Sequence, residues 1–60
     1  MTLEQQIKFL KWFIVIWDEA ESNDEDTEGL LDLYYAFLDQ NRLPYDDADE
    51  LYARLTEVKG

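Results

Sequence analysis

The sequence predicts an all-α fold, a single three-helix domain over residues 1–60 with helices at about 2–21, 27–41 and 46–59. Three observations carry this expectation. Apolar residues recur at steps of three and four, the period of one helix face, and nowhere alternate as a strand would. Capping residues stand where each helix should begin. One wholly polar stretch and one proline divide the chain into segments of helix length.

The first helix opens at Thr2, whose hydroxyl and the Gln5 amide three residues later form a capping box. Leu3, Ile7, Leu10, Ile14 and Trp17 make one apolar row, and Phe9, Phe13, Ile16 and Ala20 a second beside it. The two rows cover about half the cylinder, with Trp12 at one border. Val15 sits alone on the polar side among Glu4, Lys8, Lys11, Asp18 and Glu19.

The stretch from Glu21 to Glu28 has no apolar side chain and is rich in residues that favour turns and caps, so it reads as a loop. The second helix starts near Thr27 or Glu28 and presents Leu30, Leu31, Leu33, Tyr34, Phe37 and Leu38, with Tyr35 at the margin. Pro44 ends it by pushing Leu43 out of the helical region. The third helix begins near Asp46 or Asp47, with Glu50 placed to complete a cap and the first-turn acids complementing the helix dipole. Ala48, Leu51, Tyr52, Leu55 and Val58 form its narrow stripe, and Lys59 falls at the favourable carboxyl end.

Size makes this fold marginal on its own. Folding a chain of this mass buries apolar surface worth roughly 90–95 kcal/mol at about 25 cal/mol per Å². Ordering sixty residues costs roughly 90 kcal/mol. Domains of this size usually add a disulfide, a metal or a partner subunit, and the absence of cysteine and histidine removes disulfides, thiolate zinc sites and imidazole ligands. Self-association is the remaining common route. Helix 1 has more apolar face than two shorter helices should cover, so a homodimer is expected with Phe9, Trp12, Phe13, Ile16 and Trp17 at its interface.

The net charge of −10 argues against direct binding to nucleic acid, whose phosphates would repel it, and against anionic membranes. Lys8 and Lys11 beside Phe9 and Trp12 suggest an interfacial membrane helix less readily than a Lys8–Glu4 pair on a solvated face. No signal peptide is apparent and no apolar run is long enough to span a bilayer, so a cytoplasmic location is expected.

The segment Asp24 to Asp32 nearly follows an EF-hand loop, with Asp24, Asp26, Glu28, Gly29, Leu31 and Asp32 in register. Tyr35 stands where the chelating Glu is needed, so no specific calcium site is expected. With no His, no Cys, no phosphate-binding glycine loop and little room for a pocket, the chain is not expected to be an enzyme or to carry a cofactor or metal.

Most of the fifteen acids gather at the two connections: Asp18, Glu19, Glu21, Asp24, Glu25, Asp26, Glu28 and Asp32 in one cluster, Asp46, Asp47, Asp49 and Glu50 in the other. Helix caps and dipoles account for some of these, but acids at the end of helix 1 run against its dipole, or else that helix frays early. The expected function is therefore a non-enzymatic acidic binding protein that docks on a basic protein surface as an adaptor, inhibitor or regulator. The alternative is an oligomerisation module whose helix 1 face is the contact. In length, acidity, helical patterning and lack of cysteine the whole chain resembles the small early proteins of bacteriophages, such as the accessory proteins of lambdoid phages. That resemblance implies a host protein as partner and assigns no role to individual residues.

Overall fold

The computed structural model describes residues 1–59, apart from the side chains of Val58 and Lys59. The places expected for those two side chains lie outside what is described. Among the described residues there are three helices and no strand: α1 (Leu3–Ser22), α2 (Glu28–Asn41) and α3 (Ala48–Lys59).

α1 starts as its sequence dictates. The Thr2 hydroxyl accepts from the Gln5 amide at 3.2 Å, and the Gln5 side chain accepts from the Thr2 amide at 2.9 Å. Two of the orphan donors at the helix start are thereby satisfied. The carboxyl end does not fray. Asp24 adopts the left-handed conformation (φ 56°), the Asp24 amide donates to the Glu21 carbonyl and the Glu25 amide to that of Ala20. This Schellman closure takes up carbonyls that a basic residue would otherwise serve. Asp26 then accepts from the Glu28 amide at 3.0 Å, an Asx turn that launches α2.

α2 ends three residues ahead of its proline, at Asn41. Arg42 is left-handed (φ 55°), and the Leu43 amide donates to the Leu38 carbonyl at 2.9 Å. Leu43 then folds onto the core as the hydrophobic member of this second Schellman motif. Asn41 ties the helix ends together, its amide nitrogen on the Phe37 carbonyl and its amide oxygen accepting from Gln6 of α1. From Leu43 the chain runs back along α2: the Tyr45 hydroxyl donates to Asp39, and the Asp46 carbonyl accepts from the Tyr34 hydroxyl. α3 therefore starts at Ala48, later than expected, beside the middle of α2. Asp47 is its cap residue, with its carbonyl accepting from the Leu51 amide.

The core is built by rings between α1 and α2 and by aliphatic side chains toward α3. Phe9 stacks on Phe37 at 4.1 Å between centroids and Phe13 on Tyr34 at 4.7 Å. The width of these rings holds the two backbones apart, whereas α3 approaches α1 more closely, with Leu51 buried among Leu10 and Leu38. Within the single chain, α1 is covered more fully than expected. Of the five residues assigned to the dimer interface, Phe13 is inside the chain's own core, Phe9 and Trp17 pack against that core, and Ile16 is half-buried. Only Trp12 remains largely exposed, next to Val15. Broad aromatic side chains from α2 cover more of α1 than a count of helix faces suggests.

Gly29 lies within α2, with no positive φ and no atom within 4 Å of a Cβ added there. It makes no EF-hand turn, and the half of that motif from Glu28 onward is helix. Gly29→Ala is expected to stabilise the fold by about 0.5–1 kcal/mol, because a helical glycine carries excess chain entropy. Arg42→Gly is expected to do the same, by relieving the left-handed strain, while Arg42→Ala should not. Thermal melts followed by circular dichroism check both: a rise of several degrees for Gly29→Ala and Arg42→Gly, and none for Arg42→Ala.

Candidate functional site: an acidic aromatic cleft

The back-running connection and the second half of α1 enclose an open cleft of about 890 Å³. Its floor is aromatic. Phe13 and Tyr34 are core residues, Trp17 is half-buried, and Tyr35 and Tyr45 stand at the edge, 46% and 66% exposed, with ring centroids 5.5 Å apart. Its walls are acidic. Asp18 and Glu21 project from the last turns of α1, with Val15 and Glu19 on the same lining, and Asp46, Asp47 and Asp49 face them from the start of α3.

The structure thus joins part of each acid cluster. Asp18, Glu19 and Glu21 meet Asp46, Asp47 and Asp49 around one cleft, whereas Asp24, Glu25, Asp26, Glu28, Asp32 and Glu50 do not line it. Some of the latter have local work instead: Asp24 closes α1 and Asp26 turns the chain into α2. The tyrosines were not legible as site residues, because nothing in their spacing shows that the connection carries Tyr45 back to Tyr35.

Hydrogen bonding gives the cleft a single polarity. Of its four aromatic donors, Trp17 donates to Glu21 at 2.6 Å, Tyr34 to the Asp46 carbonyl and Tyr45 to Asp39, leaving only the Tyr35 hydroxyl unengaged. What the side chains offer outward is carboxylate oxygen and ring faces. Compensating cations are scarce at the cleft: Arg54 contacts Asp46 at 3.1 Å, and the Arg54 side chain is 57% exposed. The Lys8–Glu4 ion pair expected from sequence is not formed. Such an exposed pair is worth no more than about 1 kcal/mol. Acceptor-rich walls over aromatic faces suit a cation with many donors, above all a guanidinium, which can stack on a ring and bond carboxylates together.

Among the described residues no group of three or more acids is placed to hold a metal ion, and no helix is long and apolar enough to cross a membrane. No protein-family model, curated protein or solved structure matches the chain.

Burial, then the negative charge of Asp47 and Asp46, pushes the Tyr34 phenol up to about 12 from an ordinary 10. Tyr45 is also raised, chiefly by its bond to the Asp39 carboxylate. Between pH 10 and about 12 the unfolded chain has lost the Tyr34 proton while the folded chain keeps it. Stability from this group is therefore complete below pH 10 and falls as pH rises toward 12. Alkaline titration followed by phenolate absorbance and helical signal should show one late tyrosine that ionises with unfolding. In Tyr34→Phe that late step should vanish and the alkaline slope should flatten.

Proposed function

We propose that this chain is a non-enzymatic acidic binding protein that docks on a basic surface of another protein through the cleft between α1 and the start of α3. The observation that carries this reading is the polarity of the cleft: carboxylates from two distant sequence clusters converge over aromatic faces whose own donors are mostly used internally. A field of net charge −10 attracts a basic partner from a distance, and the cleft fixes it on arrival. The likeness in size and composition to phage early proteins makes a host protein the partner class to seek first, with adaptor, inhibitor or regulator as the role.

Calorimetric titration with a short arginine-rich peptide, its lysine counterpart and its neutral citrulline counterpart tests the reading. Arginine should bind best, citrulline should not bind, and affinity should fall steeply between about 50 mM and about 500 mM salt. Combined Asp18→Asn, Asp47→Asn and Asp49→Asn should weaken arginine binding by at least about tenfold without loss of helical signal. Equal binding of the citrulline peptide, or an unchanged affinity in the triple variant, would sink the proposal.

A further inference from the structure

The outer face of α1 carries a stripe that the rest of the chain leaves uncovered. Lys8, Trp12, Val15 and Glu19 follow at steps of four, three and four, inside an arc of about 60° and over about 16 Å of helix. The two central residues are the most exposed large apolar side chains of the helix, Trp12 at 47% and Val15 at 53%. A cation closes the stripe at its amino end and an anion at its carboxyl end, and neither is in an ion pair with a described residue. The accessible surface, 4463 Å², exceeds the roughly 4,100 Å² usual for a monomer of this mass.

The order of the stripe, cation, apolar, apolar, anion, is its own complement when reversed. We propose that two copies of the chain pair through it, α1 against α1, antiparallel and about a two-fold axis. The register that sets Lys8 against Glu19 of the second copy also sets Trp12 against its Val15, and symmetry repeats both contacts. The flanks agree: Lys11 meets Ile16 of the second copy and Glu4 meets Asn23, so no like charges are opposed. Parallel pairing would place Lys8 on Lys8 and Glu19 on Glu19. A tryptophan at the centre of a narrow strip is also the side chain best suited to anchor a small interface. The charge of −10 on each copy opposes association over distance, so the pairing tightens as moderate salt screens that repulsion while the close contacts persist. Lys8 and Trp12 lie outside the cleft, whereas Val15 and Glu19 also line its edge. The pairing is argued from the stripe alone and does not require that the cleft take a basic segment.

Sedimentation equilibrium from about 10 µM to about 1 mM, in moderate salt, tests the proposal with a charge exchange. The unaltered chain should show a reversible monomer–dimer equilibrium, and Val15→Asp should weaken it more than about tenfold. Lys8→Glu and Glu19→Lys, studied separately, should each weaken it, because each opposes like charges at both ends of the stripe. Mixed in equal amounts, the two variants should restore association, because opposite charges again face each other. Circular dichroism checks that these exposed substitutions leave the helices intact. The proposal is overturned by a monomer mass throughout for the unaltered chain. Dimerisation of Val15→Asp as strong as that of the unaltered chain also overturns it, as does a mixture no more associated than its components. Arginine-peptide binding in the cleft is read separately, on the unaltered chain, because Val15 and Glu19 also line the cleft.

Discussion

Two stacked ring pairs, Phe9 on Phe37 and Phe13 on Tyr34, set the spacing from which the rest of the structure follows. They hold α2 at a ring's width from α1 and orient Tyr34 so that its hydroxyl reaches past the core to the Asp46 carbonyl. That bond draws the connection back along α2 and decides where α3 begins. The aromatic floor of the cleft is the outer continuation of the same stack, through Trp17 on one side and Tyr35 and Tyr45 on the other. Core and candidate site are therefore one aromatic system, dry at one end and open at the other. Each stacked pair adds about 0.5–1.5 kcal/mol beyond its buried area, a large share for so small a domain.

The charge distribution works against the helices at one point and is tolerated there. Asp18, Glu19 and Glu21 sit in the last turns of α1, where each negative charge costs about 0.3–1 kcal/mol against the dipole. No basic residue relieves them in that turn. The end holds because backbone geometry satisfies its carbonyls, through the left-handed Asp24 and the amides of Asn23 to Glu25. A fold that needed only solubility could carry its acids elsewhere. The placement makes physical sense when the acids face a site.

Much of the architecture was legible because its signals are local. The period of apolar residues, the Thr2–Gln5 box and Pro44 located three helices to within two residues at every end. What escaped was non-local. Helical period shows that Phe9, Phe13 and Trp17 are apolar-faced, but not that rings from α2 are wide enough to cover them within the single chain. The same period set Val15 aside as a lone exposed residue, whereas its neighbours on the folded surface make it part of a stripe. The ends of the acid clusters were visible, but their meeting depends on a connection that doubles back. The stop at Arg42 was hidden too, since an arginine in the left-handed region leaves no mark in sequence, and the proline nearby drew the attention.

Val15 and Glu19 belong to two surfaces at once, the lining of the cleft and the outer stripe of α1. If a basic segment fills the cleft and a second copy covers the stripe, as proposed, the two events cannot be thermodynamically independent. A cationic occupant that lowers the negative potential at this end of α1 also lowers the repulsion between two copies, and by reciprocity the second copy changes the occupant's affinity by the same factor. A helix of twenty residues with one shared edge can in this way make partner capture depend on the protein's own concentration.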